Sequence, residues 1–446
     1  MLATQGEIAG RRQLLERISD ARSRSDALFK IVREQFLYER PIPERHRVVF
    51  YVGHLEAFDW NLLHENVLGL KSFHPEFDRL FAFGIDPVGG GLPSDQPSDW
   101  PSLDAVRGYV SRIRAALDEK LVDGSLESYG GERDGCPLDT LLNVAIEHRL
   151  MHVETLAYML HQLPLDQKIP QNDPLSLVAA PVNHQMIEIP AGAATLGLPR
   201  RGHTFGWDNE YEAHAVHVPC FEIDQYEVTN RQYLEFMAAR GYETHAFWSD
   251  EDWNWKTEQM VSHPVFWTKS RDEWTYRGMF DELPLPLDLP VYVSHAEAMA
   301  YARWAGKSLP TEEQWHRAAY GTKDGCERYY PWGDELSNPS LGNFDFSHWN
   351  PKPVNAFPAG RSAFGVQDLL GNGWEWTSTP FAPFPGFEPF PFYPGYSANF
   401  FDGKHFVMKG GSPRTAACML RPTFRNWFQA HYQYVYAGFR CVNHRF

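Results

Sequence analysis

The strongest constraint on the fold is a change in hydrophobic spacing along the chain. Through residues 7–162, apolar side chains recur three and four positions apart, and the segment Thr140–Leu160 keeps this spacing without a proline or glycine. That period places apolar side chains on one face of a helix. Four long helices are therefore predicted here, packed as a bundle, whose interior is a common place for a metal held by facing helices.

After residue 185 the pattern changes to short alternating segments, turns and many aromatic residues. Residues 221–230 alternate as a strand does, and Thr229 or Asn230 then offers a helix cap. Ser294, followed three residues later by a glutamate, begins a second helix with a capping box, and Thr311 repeats the device. These features predict a mixed domain of short strands and helices.

The segment between the two patterns, residues 163–184, has four prolines and no hydrophobic period, which is typical of an extended linker. A chain of 446 residues is long enough for more than one core. We therefore predict an α+β multidomain protein with a helical bundle over 1–162, a linker over 163–184 and a mixed α/β domain over 185–446. Within the bundle, the loop Gly84–Pro97 is rich in glycine and proline, and a simple crossover is favoured over a lid.

Charge and cysteine content exclude several classes of function. The chain carries 57 acidic and 41 basic residues, a net charge of −16, which argues against nucleic-acid binding and favours small-molecule partners. It has no apolar stretch long enough to span a membrane and no signal-peptide pattern at its start, so a cytoplasmic protein is expected. The five cysteines are widely spaced and are predicted to be reduced thiols. The oligomeric state is left open.

Three histidines form the most specific chemical pattern. His148 and His152 are four residues apart, so on a helix their imidazoles leave the same face with Cβ atoms about 5–6 Å apart. With His54 from a neighbouring helix they would form a three-histidine metal site with open positions, as catalytic sites have. The alternative is that these histidines are surface residues or hydrogen-bonded core residues.

The C-terminal half resembles the formylglycine-generating-enzyme (sulfatase-modifying-factor) fold in a dense series of motifs, which covers nearly all of residues 184–446. The motifs are Met186–Gly192, Tyr226–Asn230, Leu309–Trp315, Tyr330–Gly333, Gly371–Trp376, Gly410–Ser412 and Ala437–Arg440. A fold of this kind also serves as a binding scaffold, so the motifs alone leave the function open.

Combined with the histidine-bearing bundle, these motifs make the whole chain similar to the ergothioneine sulfoxide synthase (hercynine oxygenase) family. The resemblance implies a DinB-like four-helix bundle in which His54, His148 and His152 hold non-haem iron(II), and a C-terminal domain that supplies the substrate pocket. It implies an O2-dependent oxidoreductase that joins a cysteinyl thiol to C2 of the imidazole of hercynine, the trimethylated betaine of histidine. The sulfur is oxidised to a sulfoxide in the same reaction.

The resemblance also assigns roles to residues of the C-terminal half. The family's active-site tyrosine pair matches Tyr393 and Tyr396, of which Tyr393 would deliver a proton or hydrogen atom and Tyr396 would help to position the substrate. A phenol with a pKa near 10 suits a donor that stays protonated at neutral pH. The alternative is that this aromatic loop only packs against its surroundings.

The family's Arg-Asn-Trp motif matches Arg425, Asn426 and Trp427. Asn426 would hydrogen-bond hercynine, and Trp427 would offer its ring face to the quaternary ammonium, which aromatic faces commonly recognise. The alternative for Trp427 is a core tryptophan in a chain with 15 of them.

Departures from the family pattern concern the sulfur donor. An aspartate and an arginine that some members use on γ-glutamylcysteine are replaced here by Phe428 and Tyr432, and a basic residue expected before Pro101 is missing. Met151 stands where some members carry a glutamine that touches the imidazole. The guanidinium groups at 414, 421 and 425 remain as possible carboxylate clamps or as solvated surface groups. Free cysteine, or a relaxed choice that includes γ-glutamylcysteine, is therefore favoured as donor.

Four other functions stay open from the sequence. Selenoneine synthases and ovothiol-type synthases resemble the same two-domain plan. A non-catalytic binding protein with a structural metal is a rival from another class. Copper-dependent formylglycine formation is disfavoured, because it needs two closely spaced cysteines and Cys418 and Cys441 are 23 residues apart.

Overall fold

The computed structural model describes residues 5–82, 92–122, 132–173, 182–201, 204–271 and 273–444. The chain divides into two compact units, Met1–Gln171 and Asn172–Phe446. The division falls inside the segment 163–184 that the sequence predicts to be a linker. Residues 84–91 of the glycine-rich loop lie outside the described residues, so the choice between crossover and lid stays a prediction.

The first unit is built on four long helices and one short helix. The helices are α1 (Gln5–Phe29), α2 (Val48–Leu63), α3 (Pro75–Leu80), α4 (Leu103–Val122) and α5 (Leu138–His161). A short hairpin of two strands, β1 (Glu132–Arg133) and β2 (Cys136–Pro137), precedes α5. Helix α1 packs against α5, and α2 packs against both α4 and α5. The predicted bundle is confirmed. Among the described helices, none is long and apolar enough to cross a membrane.

The bundle core is formed by the apolar faces that the spacing predicted. Leu28 of α1, Leu55 of α2, Ile113 of α4 and Leu142 of α5 are all at most 1% exposed. Burial of each such side chain contributes about 1.5–3 kcal/mol to folding. Helix α5 is buried along almost its whole length because it packs against two neighbouring helices, so polar groups on it need partners inside the protein.

Residues 168 and 169, which follow α5, pack against the bundle. The backbone N–H of Ile169 donates to the carbonyl of Ile31 at 2.6 Å. The buried ammonium of Lys168 donates to the carbonyl of His161 at 3.1 Å. This stretch of the predicted linker therefore continues the packing of the first unit.

The second unit contains short strands in several small sheets. Its strands are β3 (Met186–Ile189), β4 (Gly192–Leu196), β5 (His214–Val218), β6 (Phe221–Asp224), β7 (Trp267–Ser270), β8 (Glu273–Arg277), β9 (Glu282–Pro284), β10 (Gly373–Pro380), β11 (His405–Gly411), β12 (Asn426–Gln429), β13 (Ala437–Gly438) and β14 (Val442–His444). Its helices are α6 (Asn230–Ala238), α7 (Asp250–Glu258), α8 (His295–Trp304) and α9 (Glu312–Tyr320).

The largest sheet of the described chain has the order β12-β11-β10-β13, in which β10 pairs with β11 antiparallel and with β13 parallel. Smaller sheets have the orders β14-β6-β3, β4-β5 and β7-β8-β9. Trp315 of α9 and Phe221 of β6, both fully buried, belong to one hydrophobic core with Leu369. Because β12 is the edge of the large sheet next to β11, the side chains at 426–429 are fixed by its register.

Helix starts in the second unit follow the predicted capping pattern. Thr229, Ser294 and Thr311 each accept a hydrogen bond from the backbone N–H three residues later, and each pairs with a Gln or Glu that returns the bond. Thr229, and not Asn230, is the cap of α6. Each cap of this kind contributes about 1 kcal/mol.

Candidate functional site

The three histidines predicted as metal ligands lie together in the first unit. His54 lies on α2, and His148 and His152 lie one turn apart on α5. One ligand atom of each residue lies within 4.8 Å of the others. Nε2 of His54 is 3.3 Å from Nε2 of His152, so these two nitrogens either share a proton or face a common ligand. Among the described residues, no other group of three metal-ligating side chains meets in this way.

His54 is oriented by the chain that follows α3. Its Nδ1 is 2.7 Å from the carbonyl oxygen of Phe81, which requires the proton on Nδ1 and leaves the lone pair on Nε2. The Phe81 ring lies so close to α2 that a Cβ at Gly53 would be 2.6 Å from it. Asp78 anchors α3 because it accepts hydrogen bonds from Trp60 of α2 and Tyr109 of α4. The bundle therefore fixes the ring of His54 through a short chain of contacts.

Burial keeps all three imidazoles neutral. Each histidine is at most 4% exposed. Burial lowers the pKa of His54 to about 4, and it lowers the pKa values of His148 and His152 well below 6.5, with a further lowering from the neighbouring histidines. Neutral imidazole is the form that binds a metal ion.

The donor set fits a divalent transition metal. Nδ1 of His148 and Nδ1 of His152 are buried and have no hydrogen-bond partner among the described residues. Such atoms are costly unless something satisfies them or their rings are held by other bonds. Phe58 stacks on His148 at 3.4 Å and Phe50 stacks on His54 at 4.9 Å. Three imidazoles within an apolar wall suit iron, zinc, copper or nickel better than magnesium or calcium.

A buried charge network behind the histidines was missed in the sequence. Arg149, next to His148, donates to Glu56 at 2.9 Å and to Asp59 at 2.6 Å, and both carboxylates are on the helix that carries His54. Arg114 of α4 joins Glu56 at 2.7 Å and Asp26 of α1 at 2.8 Å. All four long helices are therefore tied at the level of the histidines. Glu56 and Asp59 lie within the apolar pattern of α2, and they could have indicated this network from the sequence because buried charges need partners.

The residues predicted to contact substrate lie in the second unit, where several aromatic rings meet. Tyr396 stacks on Trp207 with ring centroids 4.0 Å apart, and its ring edge meets Trp427 at 5.4 Å. Tyr393 lies 5.6 Å from Tyr396. Trp427 stacks on Phe381 at 4.2 Å and remains partly exposed. The structure thus brings Tyr393, Tyr396 and Trp427 into one aromatic cluster, in which Trp207 is a member that the sequence did not suggest.

The phenol of Tyr393 is held in its protonated form. Burial and the nearby carboxylate of Asp208 raise the pKa of Tyr393 to about 12. Asp208 is itself fully buried, and it accepts a hydrogen bond from Ser397 at 2.5 Å. Burial raises the pKa of Asp208 to about 6. Burial therefore disfavours the charged form of both the Tyr393 phenol on this loop and the Asp208 carboxyl group that contacts the loop through Ser397.

The other candidate substrate contacts are distributed over both units. Asn426 and Phe428 lie on β12, and Phe428 stacks on Tyr432 with ring centroids 5.0 Å apart and an interplanar angle of 16°. All three side chains are partly exposed, as a substrate contact requires. Met151 lies on α5 immediately before His152 and is also partly exposed.

The three arginines considered as carboxylate clamps are each held by the protein. Arg425 forms a two-bond pair with Glu312 at 2.9 and 3.0 Å, and Arg421 forms one with Glu210 at 2.8 and 2.5 Å. Arg414 lies over the ring of Trp349 at 3.8 Å. All three are buried, so they are not solvated surface groups. This geometry favours positioning of the chain over direct contact with a substrate carboxylate.

The raised pKa of Asp208 is expected to make the free energy of unfolding depend on pH. The pKa of Asp208 is about 6 in the folded protein and 3.8 in the unfolded chain. Its contribution to the free energy of unfolding is therefore fully present below pH 3.8 and is lost as the pH rises through about 6. Relative to wild type, Asp208→Asn should therefore gain about 1–3 kcal/mol in unfolding free energy between about pH 4 and about pH 7. Urea unfolding of both proteins at each pH measures the difference, and a difference independent of pH would contradict the assignment.

Comparison with known proteins identifies the chain. Residues 176–445 match the sulfatase-modifying factor enzyme 1-like domain. A hercynine oxygenase of Mycolicibacterium smegmatis is 36% identical over 380 residues, which cover 82% of this chain and 83% of the relative. The chain belongs to the hercynine oxygenase family. A hercynine oxygenase of Mycobacterium tuberculosis is 39% identical over 249 residues, covering 55% of this chain and 58% of the relative.

A fungal relative extends the same similarity. Ergothioneine biosynthesis protein 1 of Neurospora crassa is 29% identical over 93% of this chain and 55% of the relative. The predicted family, the predicted fold class and the prediction of an oxygenase enzyme in ergothioneine biosynthesis are confirmed by these relatives. For a hercynine oxygenase family member, the histidine cluster is the natural place for a metal.

Proposed function

We propose that this protein is an iron(II)- and O2-dependent sulfoxide synthase that joins the sulfur of a cysteinyl thiol to C2 of the imidazole of hercynine. The observation that carries the proposal is the buried cluster of His54, His148 and His152, three neutral imidazoles within 4.8 Å of one another in a member of an oxygenase family. These residues would hold the iron. A three-histidine set without a carboxylate leaves the full charge of the ion available to attract a thiolate.

When bound, iron(II) supplies open positions for dioxygen and the thiol and the redox change that oxygen reduction requires. The proposed reaction balances without another reductant. The C2–H bond of hercynine and the S–H bond of the thiol are broken, and one C–S bond and one S–O bond are formed. One oxygen atom of O2 enters the sulfoxide and the other leaves as water, so O2 accepts four electrons from the two substrates.

Residues of the second unit are proposed to bind hercynine and to handle protons. The partly exposed ring of Trp427 offers an aromatic surface to the trimethylammonium group, which cannot donate hydrogen bonds. The Oδ1 atom of Asn426 accepts from the backbone N–H of Trp427 at 2.9 Å, and its side-chain NH2 group is proposed to donate to the carboxylate or imidazole. Oη of Tyr393 holds its proton at neutral pH and is proposed to donate it during turnover. Tyr396, stacked on Trp207, is proposed to position the substrate.

The proposed sulfur donor is free cysteine, with γ-glutamylcysteine accepted less well. The stacked rings of Phe428 and Tyr432 offer an apolar surface without a charged group for a γ-glutamyl carboxylate or amine. The pairing of Arg421 with Glu210 and of Arg425 with Glu312 also favours free cysteine as donor, because these guanidinium groups already have carboxylate partners. A charged extension of the thiol would therefore lose its hydration without gaining a partner.

The test is the mass of the product after the protein is loaded with iron(II) without oxygen and then exposed to 18O2. Hercynine and cysteine should give a conjugate of both substrates that has lost two hydrogen atoms and gained one 18O atom. With γ-glutamylcysteine, kcat/KM should fall about tenfold, the cost of one poorly matched polar group. Histidine in place of hercynine and a selenosugar in place of the thiol complete the panel.

Each arm of the panel has a distinct meaning. Absence of product from hercynine with every thiol would overturn the proposal. Turnover of histidine in preference to hercynine would move the protein to the ovothiol-type synthases, and turnover of the selenosugar alone would move it to the selenoneine synthases. Equal use of both thiols would contradict the donor assignment while keeping the reaction.

A further inference from the structure

A short run in the second unit, Trp207–Glu210, contacts both elements that carry the candidate substrate residues. We call this run the bracket, residues 393–397 the tyrosine loop, and residues 421–427 the arginine segment. Every residue of the bracket is at most 1% exposed. Two of its side chains are ionisable, and burial of such groups is expensive unless they are hydrogen-bonded or paired. The proposed function above assigns none of the four a direct contact with substrate or iron.

On one side, the bracket holds the tyrosine loop. The ring of Trp207 stacks on Tyr396 at 4.0 Å. Ser397 donates to Asp208 at 2.5 Å and accepts a hydrogen bond from the side-chain amide of Asn209 at 3.0 Å. Three consecutive bracket residues therefore fix the loop, one by ring stacking and two by hydrogen bonds to a single serine hydroxyl.

On the other side, the bracket holds the arginine segment. The carboxylate of Glu210 accepts two bonds from Arg421, at 2.8 and 2.5 Å, and one from Thr423 at 2.6 Å. It also accepts from the backbone N–H of Trp207 at 2.8 Å, which closes the bracket on itself. The carbonyl of Asn209 accepts from Arg425 at 3.4 Å. Four donors on one buried carboxylate form a rigid junction, because each bond restricts the others.

Arg425 extends this junction to α9. Its guanidinium group pairs with Glu312 at the start of α9 and lies over the ring of Phe384 at 4.0 Å. The next residues along the chain are Asn426 and Trp427. The contacts of Arg425 with Asn209 and Glu312 therefore fix the chain immediately before β12, and the pairing of β12 with β11 then sets the direction of these two side chains.

We infer that Asp208 and Glu210 are positioning residues that set the tyrosine loop and the arginine segment in one fixed relation, so that Tyr393 and Tyr396 are held in register with Asn426 and Trp427. The role of this register in turnover rests on the proposed function, whereas the mechanical coupling does not. A loss of coupling should thus appear as a change in kcat, since geometry within about 1 Å matters for the chemical step.

The test measures hydrogen–deuterium exchange of the full-length protein in variants that each touch one side of the bracket. Glu210→Gln removes the charge that holds Arg421 and Thr423, the two side chains through which Glu210 contacts the arginine segment. Ser397→Ala removes a hydroxyl that bonds to Asp208 and Asn209 of the bracket. Each variant should speed exchange by about threefold in both segments, because the bracket transmits the loosening.

Two further variants separate coupling from general destabilisation. Glu297→Gln changes a buried carboxylate that also accepts from a serine and a tyrosine, Ser294 and Tyr242, but lies outside the bracket. It should leave exchange in both segments at the wild-type rate. Thr423→Val should loosen the tyrosine loop, and Thr423→Ser, which keeps the hydroxyl, should restore it.

The exchange experiment tests the coupling whether or not hercynine is the substrate. Faster exchange confined to the mutated side in both Glu210→Gln and Ser397→Ala would overturn the inference, as would an equal response to Glu297→Gln. If the enzyme turns over hercynine, Glu210→Gln and Ser397→Ala should each lower kcat about tenfold with a smaller change in KM, the expected pattern for misplaced groups. If the enzyme does not, the exchange result still decides the coupling.

Discussion

The His148→Ala variant is expected to lose iron binding and sulfoxide formation while it keeps a folded bundle. Removal of one of three imidazoles leaves two ligands, and loss of the metal removes several kcal/mol of transition-state stabilisation, so kcat/KM should fall by about 10³ or more. The fold should survive because burial keeps the histidine neutral, and because Arg149 beside it keeps its bonds to Glu56 and Asp59. Iron content, product mass and far-ultraviolet circular dichroism measure the three properties.

His161→Ala is the matched control for this prediction. His161 is another buried histidine on α5, but it lies outside the cluster of His54, His148 and His152. Truncation of either histidine leaves a comparable cavity and should cost a similar 2–5 kcal/mol of stability. Only the cluster variant should lose iron. Full iron content in His148→Ala, or equal loss of iron in both variants, would show that the cluster does not hold the metal.

The Tyr393→Phe variant is expected to lose most of its turnover with little change in substrate binding. Phenylalanine keeps the ring but removes Oη, the proposed proton donor, and such donors contribute about 10²–10⁴ in rate. KM for hercynine should change less than about threefold, because the contacts assigned to Trp427 and Asn426 remain. Steady-state kinetics with hercynine and cysteine give both constants.

The same residue predicts the shape of the pH profile. Because the pKa of Tyr393 is raised to about 12, the donor stays protonated well above neutral pH. Below about pH 10, kcat should therefore show no fall that is caused by ionisation of Tyr393, and any fall seen there should persist in Tyr393→Phe. Tyr396→Phe is the matched control. Its ring stacking on Trp207 is retained, so it should affect KM more than kcat. A larger loss of kcat in Tyr396→Phe than in Tyr393→Phe would exchange the two assigned roles.

Local features of the fold were predictable because they depend on neighbours in sequence. The spacing of Thr140–Leu160 predicted a helix, and the structure has α5 from Leu138 to His161. The caps at Ser294 and Thr311 followed from residues three positions apart. The four-residue spacing of His148 and His152 was sufficient to place both imidazoles on one face of that helix.

The charge networks were not predictable because their members are far apart in the chain. Arg149 meets Glu56 across 93 positions, and Arg421 meets Glu210 across 211. A lone arginine in a motif is equally consistent with a clamp for substrate and with a partner for a buried acid. Only the packing of the chain shows which carboxylate faces the guanidinium group.

The sequence by itself determined the two kinds of domain, the family and the three histidines that are candidates for the metal, since these follow from local period and from motifs. Tertiary structure decided which groups surround them. It showed that three imidazoles share one buried space, that Arg421 and Arg425 are already paired, and that Trp207–Glu210 joins two distant segments. The physical reason is that hydrogen bonds and ion pairs act over about 3 Å, a distance that sequence separation does not predict.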